Sequence, residues 1–323
     1  MFSLDDLDRA SRLVHAVMPP TPQYAWPLLQ RRFGVEVIVK HENHTPIGAF
    51  KLRGGLVYLD RLKRERPHVR GIVSATRGNH GQSLALAGRH VQLPVTIVVP
   101  HGNSVEKNAA MQAFGAELIE HGRDFDDARE HAAALADERG YEFVPSFDAA
   151  LVTGVATYAR ELFEAVPDLD VVYVPIGLGS GICGLIRTRD LLGLRTEIVG
   201  VVPERANAYR LSWEAGRVVP VNAVSTFADG AAVRVPDGRA LELIRQGAVR
   251  IVEVGEEEIA EAIRVLHEDT HNLAEGAGAL PLAALGREQE RVAGRKIGVV
   301  LSGGNIDRLW AADVLGGRTP LAS

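Results

Sequence analysis

Residues Val171–Gly184 read VVYVPIGLGSGICG, a short apolar run followed by four glycines. The valine-rich run predicts a buried strand, and the glycines predict a tight turn that opens a helix. Similar apolar runs alternate with segments of helical period over nearly the whole chain, which favours parallel sheets covered by helices. The sequence therefore predicts an α/β fold with two open, twisted, mainly parallel sheets.

The same patterns predict where the other elements lie. The further strands are expected at Val35–Lys40, Gly71–Ala75, Val95–Val99, Glu117–Glu120, Glu197–Val202, Val249–Val252 and Ile297–Leu301. The main helices are expected at Leu4–Val17, Gly81–His90, Ser104–Phe114, Asp124–Arg139, Thr153–Ala165, Glu256–Asp269 and Ala277–Gly286. Because the units between Gly71 and Phe147 form a compact block, we predict an inserted small domain, 71–148, and a large domain made of 1–70 and 149–323.

Composition narrows the class of protein. The 323 residues are 46% hydrophobic and 24% charged with a net charge of -5, as in an ordinary globular protein, and no basic block suits a nucleic-acid partner. No apolar stretch approaches membrane-spanning length, and the acidic N-terminus lacks a signal-peptide core. Together with a single cysteine, Cys183, this predicts a cytoplasmic location. We also expect no appended regulatory domain after the last helix.

Lysine is scarce in this chain. Five of the 36 Lys and Arg residues are lysines, which leaves 31 arginines (36 − 5). Lys51 lies in TPIGAFKLRGG, residues 45–55, after a turn and at the start of an amphipathic run. An ammonium group can lose its proton when desolvated and then form a Schiff base, so we predict a chemical role for Lys51. Lys63, Lys107 and Lys296 are expected to be solvated, and Lys40 fits either environment.

Three loops follow predicted strands, where ligands bind in open parallel sheets. In the loop Pro175–Gly184, glycine backbone N–H groups at a helix start predict a phosphate site. Its alternatives are a plain turn and, because residues 179–184 fit G-x-G-x-x-G with Glu204 downstream, a dinucleotide site in a nucleotide-dependent oxidoreductase. In Ser74–Gln82, the side chains could bond a carboxylate or phenolic oxygen, unless Asn79 only caps a helix. In Leu301–Asn305, a serine hydroxyl could bond a ring nitrogen or belong to an ordinary turn.

Taken together, these motifs resemble the fold type II pyridoxal phosphate enzymes, the tryptophan synthase β-like group, and specifically the serine/threonine dehydratases, over essentially the whole chain. The motifs are Phe50–Gly54, Gly78–His80, Gly177–Gly181, Glu275–Ala279 and Ser302–Asp307, the last two being especially similar to biodegradative threonine dehydratases. Five motifs in the right order favour this family over the dinucleotide interpretation. The resemblance implies pyridoxal 5'-phosphate as cofactor, an amino acid as substrate and a homo-oligomer, either dimer or tetramer.

The resemblance also implies roles for single residues. Lys51 would bind the cofactor aldehyde as a Schiff base and then remove the substrate α-proton as general base. Asn79 would bond the phenolic oxygen and Ser302 the pyridine nitrogen, which a serine does not hold fully protonated. The phosphate would be bound by Gly177, Leu178, Gly179, Ser180 and Gly181, with Phe50 and Glu275 also at the cofactor. The substrate would be bound by Thr76, Arg77, Gly78, Asn79 and His80. The reaction would remove water from threonine, serine or a bulkier analogue, giving a 2-oxo acid and ammonia.

The chain departs from the family pattern at several positions. Arg77 stands where the family usually has serine or alanine, and the related racemases use a serine there as second acid/base. Since an arginine stays protonated, we predict negligible racemisation, with Arg77 bound to a carboxylate, to the cofactor or to solvent. Ala49, Leu178 and Ser180 also depart, and they raise 3-phenylserine, 3-hydroxyaspartate and a hydroxyectoine degradation product as alternative substrates.

We predict no metal site in this chain. The relatives that bind a structural cation use acidic residues after the strand equivalent to Glu197–Val202, and here Val202 and Ala208 occupy those positions. Activity should therefore survive chelation. The segment His41–His44 has metal-ligand residue types, but its short spacing favours a loop that shapes the site entrance over a zinc site.

Overall fold

The computed structural model describes residues 1–321. Its strands are β1 Gln23–Ala25, β2 Glu36–His41, β3 Ile72–Ala75, β4 Val95–Val99, β5 Glu117–Glu120, β6 Glu142–Phe143, β7 Val171–Pro175, β8 Glu197–Pro203, β9 Ala248–Val254 and β10 Lys296–Leu301. They form a six-stranded sheet of order β1-β2-β10-β7-β8-β9 and a four-stranded sheet of order β5-β4-β3-β6. The β1–β2 pair is antiparallel and the other strand pairs are parallel. The predicted α/β class with two mainly parallel sheets is confirmed.

Helices connect these strands. They are α1 Leu4–His15, α2 Pro27–Phe33, α3 Lys51–Glu65, α4 Asn79–His90, α5 Val105–Ala113, α6 Phe125–Arg139, α7 Ala149–Ala165, α8 Ser180–Leu191, α9 Ala208–Ala215, α10 Gly238–Gly247, α11 Glu256–Thr270, α12 Gly276–Arg287 and α13 Arg308–Leu315. Helix α7 begins four residues before the predicted Thr153, because the Asp148 side chain accepts a hydrogen bond from the Ala150 N–H and caps the helix there.

The large sheet separates two hydrophobic cores, which explains its unbroken apolar strands. Val37 and Val39 of β2 pack into one core, whereas Ile38 between them packs into the other. In β7, Val171 and Tyr173 alternate in the same way with their neighbours. Both faces of the sheet are therefore covered, as is usual for parallel strands.

The four strands of the second sheet all lie between residues 72 and 143. One further core joins Leu52 and Leu56 of α3 to Ile72, Val95 and Ile97 of that sheet. Side chains from outside residues 71–148 thus complete the core of this sheet. The division into an inserted domain, 71–148, and a large domain stays a prediction. The carboxyl ends of β3, β7 and β10 lead into the three loops that the sequence singled out.

Candidate active site

The turn before Lys51 is fastened to the end of β10. Ala49 forms an isolated antiparallel bridge with Gly303, and the Phe50 N–H donates to the Ser302 carbonyl at 3.0 Å. Within the turn, the Thr45 hydroxyl donates to the Ala49 carbonyl at 2.7 Å. These bonds bring Lys51, the first residue of α3, next to a loop that lies some 250 residues further along the chain.

The Lys51 amine lies in a poorly hydrated environment. Its Nζ donates to the Ser180 hydroxyl at 3.1 Å and lies 4.9 Å from the centre of the Phe50 ring. Loss of hydration lowers the pKa of Lys51 to about 8, against a partly opposing effect of Glu275. The ammonium form still predominates at pH 7, but the uncharged amine, which can react with a carbonyl or accept a proton, is far more populated than in an ordinary lysine.

The glycine-rich loop Gly177–Gly181 leads into the N-terminus of α8. Gly179 precedes the helix with a φ of 100°, a conformation that favours glycine. A Cβ on Gly177 would lie 2.5 Å from the Gly230 carbonyl oxygen, so the loop also needs glycine for close packing. The first N–H groups of a helix have no partner within the helix, and together with the helix dipole they attract an anion. The loop can therefore bind a phosphate beside Lys51.

The loop after β3 is held by its own side chains. The Gly78 N–H donates to the Thr76 hydroxyl at 3.0 Å, and both residues are buried. Asn79 is the first residue of α4, with Gly78 at the cap position, so the capping alternative for Asn79 is wrong. Its amide group instead donates to Glu275 Oε1 at 2.7 Å and accepts from the Asn305 amide at 2.8 Å.

Two buried polar atoms in this region lack a hydrogen-bond partner. Oε2 of Glu275 and Nε2 of His80 make no hydrogen bond in the described structure. Burial raises the pKa of Glu275 to about 7 and lowers that of His80 to about 3. Buried polar atoms are rarely left unpaired in proteins, so these two point to a ligand that would bond them.

Ser302 and Phe50 meet in a small cavity at the ends of β7 and β10. The cavity is also lined by Tyr158, Val174, Pro175, Gly181 and Val300. Ser302 is 4% exposed. A separate open cleft of about 460 Å³ lies at the opposite, amino-terminal edge of the sheet, beside Val35 and Glu290, and contains none of the candidate residues.

Arg77 is exposed, whereas Thr76 and Gly78 on either side of it are buried. Of the alternatives for Arg77, this favours the solvated side chain in the present structure, and a contact with substrate stays a prediction. Leu178 is placed by its carbonyl, which accepts from the Tyr209 hydroxyl at 2.9 Å.

Three residues at the site were missed by sequence reasoning. Asn305 lies in a quoted motif, yet its bond to Asn79 became visible only in the structure. Lys107 was expected to be solvated, which is wrong: it is 5% exposed and forms an ion pair with Asp229. The scarcity of lysine could have indicated a special role for Lys107, but no sequence pattern distinguishes Asp229 from other aspartates.

The residues present fit pyridoxal 5'-phosphate. A lysine with a lowered pKa can bind an aldehyde, the α8 N-terminus can bind a phosphate, and the unpaired atoms of Glu275 and His80 offer polar contacts. A family model described as pyridoxal-phosphate dependent enzyme matches residues 16–303. The chain belongs to this family.

Enzymes acting on hydroxy amino acids, by their names, are similar to nearly the whole chain. An L-threonine ammonia-lyase of Thermotoga maritima is 36% identical over 95% of this chain and 76% of its own length. An L-threo-3-hydroxyaspartate ammonia-lyase of Saccharomyces cerevisiae is 31% identical over 97% of this chain and 96% of its own. The structure of threonine deaminase isoform 2 from Solanum lycopersicum has a TM-score of 0.89 at 28% identity and covers 98% of this chain and 94% of that one.

The protein is therefore a pyridoxal-phosphate dependent lyase, and pyridoxal 5'-phosphate is its cofactor. This assignment favours the lyase over the nucleotide-dependent oxidoreductase. Within residues 1–321, no helix is long and apolar enough to cross a membrane. The described residues also contain no cluster of three or more His, Cys, Asp or Glu side chains placed to hold a metal ion, and the chelation test remains to be made.

Proposed function

We propose that this enzyme removes water from a β-hydroxy-α-amino acid and releases a 2-oxo acid and ammonia. The observation that carries the proposal is the Lys51 amine, with its pKa lowered to about 8, beside Ser180 at the phosphate loop. The named relatives, an L-threonine and an L-threo-3-hydroxyaspartate ammonia-lyase, support the reaction class.

Each step assigns a task to a residue of this chain. When bound, pyridoxal 5'-phosphate stabilises the negative charge that develops at the substrate α-carbon. Lys51 would bind the cofactor aldehyde through its amine and, once that amine is free again, would accept the substrate α-proton as general base. The β-hydroxyl would leave as water, with the proton that Lys51 accepted completing the balance, and the resulting enamine would take up one water to give a 2-oxo acid and ammonia.

The other site residues would bind and orient. The backbone N–H groups of Gly177–Gly181 would hold the phosphate, with Ser180 also placed to bond Lys51. Asn79 and Glu275, which already bond each other, would contact the cofactor's polar edge. Ser302 would face the ring nitrogen, and a neutral hydroxyl there leaves that nitrogen less protonated than a carboxylate would.

The loop Thr76–His80 is proposed to bind the substrate carboxylate. Gly78 and the residues at the start of α4 present N–H groups at a helix N-terminus, where a negative charge is favoured. His80, whose pKa is lowered to about 3, stays neutral and can donate one hydrogen bond without adding a charge.

Threonine and serine are the default substrates, and two alternatives have specific support. The yeast relative supports L-threo-3-hydroxyaspartate, and the exposed guanidinium of Arg77, within the Thr76–His80 loop, would attract its second carboxylate. The replacement of a family serine by Ala49 supports a less polar substrate such as 3-phenylserine. A degradation product of hydroxyectoine stays a further alternative.

The decisive experiment offers the holoenzyme L-threonine, L-serine, L-threo-3-hydroxyaspartate and L-threo-3-phenylserine, and measures 2-oxo acid and ammonia together. We expect equal amounts of the two products and a kcat/KM at least tenfold higher for one substrate. If none of the four substrates releases both products, the proposed reaction is wrong. We also propose a homo-oligomer, dimer or tetramer, in the cytoplasm, to be checked by light scattering and by cell fractionation.

A further inference from the structure

Lys107 connects the two halves of the molecule across the active site. It lies on α5 beside the four-stranded sheet, and its partner Asp229 lies 122 residues away in a 3₁₀ turn, Asp229–Ala231. Only 6% of the Lys107 side chain is exposed, against 21% for Asp229. A lysine buried to this degree is rare unless its charge is paired. The ion pair with Asp229 therefore explains why Lys107 can lie here.

The aliphatic part of the Lys107 side chain packs against the Thr76–His80 loop, which is proposed to bind the substrate carboxylate (the carboxylate loop). A Cβ added to Gly78 would lie 2.7 Å from Lys107 Cδ, closer than any real contact of this kind. This position therefore needs glycine, because a side chain would have no space beside Lys107. Lys107 therefore supports the loop that begins α4 with Asn79 and His80.

The 3₁₀ turn that holds Asp229 packs against the other side of the site. The Gly230 carbonyl oxygen lies 2.5 Å from where a Gly177 Cβ would stand, and a Cβ on Gly230 would lie 3.8 Å from Glu275 Oε1. The ion pair thus joins the carboxylate loop to a turn that contacts both the phosphate loop and Glu275.

The charges around Glu275 support the same arrangement. Although burial opposes its charge, Asp229 and Glu275 raise the pKa of Lys107 above its ordinary value, so Lys107 stays an ammonium ion. For Glu275, burial raises the pKa, Lys107 lowers it and Asp229 raises it. The ammonium group of Lys107 therefore partly offsets the effect of burial, which raises the pKa of Glu275.

We propose that Lys107 is a positioning residue, whose ion pair with Asp229 holds the Thr76–His80 loop in register with the Gly177–Gly181 loop and Glu275. Its kinetic consequence rests on the proposed lyase reaction, whereas its structural consequence does not. Without the ion pair, the two loops can separate, and a displacement of about 1 Å in such a site costs on the order of 100-fold in rate.

The test compares Lys107→Met, Lys107→Arg and Asp229→Asn with a matched control, Glu106→Gln. Glu106 is the exposed neighbour on α5 and accepts from the Arg308 N–H at 3.0 Å, so it joins the same two halves away from the site. Backbone amide exchange of residues 76–80 and 227–232 is measured on each holoenzyme by mass spectrometry, alongside kcat and KM.

In Lys107→Met and Asp229→Asn we expect amide exchange in both segments to rise by about tenfold and kcat/KM to fall by on the order of 100-fold. Lys107→Arg, which keeps the charge, should stay within about tenfold of the parent kcat/KM, and Glu106→Gln within about twofold. The double variant Lys107→Met/Asp229→Asn should lose little more than either single variant, because both remove the same interaction.

Parental exchange in both segments together with a kcat/KM within threefold in Lys107→Met would overturn the proposal. If Lys107→Met does not fold, Asp229→Asn decides by the same two measurements. A parent enzyme that releases no oxo acid would refute the proposed function alone, since the exchange comparison still tests Lys107.

Discussion

The Ser180 hydroxyl lies 3.1 Å from the Lys51 Nζ, although 129 residues separate them in the chain. Each is the first residue of a helix, α8 and α3 respectively. The contact places an amine of lowered pKa at a helix N-terminus that can bind a phosphate, which is the geometry expected for an aldehyde cofactor with a phosphate group.

Replacing Lys51 by alanine should abolish turnover. Loss of a general base alone costs about 10³-fold or more, and Lys51→Ala also loses the cofactor attachment. The measurement is oxo-acid release, followed by borohydride reduction and peptide mass analysis. Lys63→Ala, on the same helix but away from the site, is the control and should keep both activity and the adduct. A cofactor adduct on another lysine of the parent would contradict the assignment.

Replacing Ser302 by aspartate should slow elimination and permit side reactions. A carboxylate would keep the facing ring nitrogen protonated and so deepen charge delocalisation, whereas a serine hydroxyl does not. The kcat for oxo-acid release and the yield of side products measure the effect, with Ser302→Ala as the uncharged control. Kinetics of Ser302→Asp equal to those of the parent would show that this residue does not tune the cofactor.

The raised pKa of Glu275 predicts a pH-dependent stability. Between an ordinary value near 4.5 and about 7, the folded state binds more protons than the unfolded state. The contribution of Glu275 to the free energy of unfolding is thus present below pH 4.5 and is lost as the pH rises to 7, by on the order of 3 kcal/mol at most. Glu275→Gln should not show this loss. The Tm of the variant, relative to that of the parent, should therefore increase as the pH is raised from 4.5 to 7. Parallel Tm curves would refute the prediction.

Arg53 holds α3, and with it Lys51, to two other elements. Its guanidinium donates to both oxygens of Glu42, at 2.7 and 3.0 Å, and to both oxygens of Glu161, at 2.6 and 2.9 Å. Lys40 also donates to Glu161 at 2.6 Å, and Arg53, Glu42 and Lys40 are fully buried. Arg53→Met should lower the free energy of unfolding by about 3–5 kcal/mol, because it leaves buried carboxylates unpaired.

Chemical denaturation of Arg53→Met measures this effect, and Arg64→Met is its control. Arg64 lies on the same helix with an exposed side chain and should change the free energy of unfolding by less than about 0.5 kcal/mol. Equal stability of the two variants would show that the buried ion pairs do not hold the helix in place.

Racemisation by the parent enzyme should be negligible. Arg77 is exposed, and because an arginine guanidinium stays protonated it cannot accept a proton from the second face of the substrate. Chiral analysis of serine recovered from a partial reaction should show one enantiomer, whereas Arg77→Ser should produce measurably more of the other. Racemisation by the parent enzyme at a rate similar to that of elimination would contradict this prediction.

The sequence alone predicted eight of the ten strands in the described residues, the glycine-rich loops and a chemical role for Lys51, but not the short strands β1 and β6. Local patterns predict these features: apolar runs typical of strands buried on both faces, glycines before a helix, and a lysine in a chain with few lysines. Even so, Lys107 was wrongly predicted to be solvated, and the buried partners of Arg53 were not predicted. The local sequence does not indicate which distant side chains will contact a polar residue.

Only the tertiary structure decided which groups meet. Asn79 bonds Glu275 at a separation of 196 residues and Asn305 at 226, and Lys107 reaches Asp229 at 122. Chain spacing does not encode these contacts. The bond between Asn79 and Asn305 arises because the carboxyl ends of β3 and β10 converge, whereas Lys107 and Asp229 are brought together from α5 and a 3₁₀ turn. Burial there removes water, and it is this loss of hydration that shifts the pKa values of Lys51, His80 and Glu275.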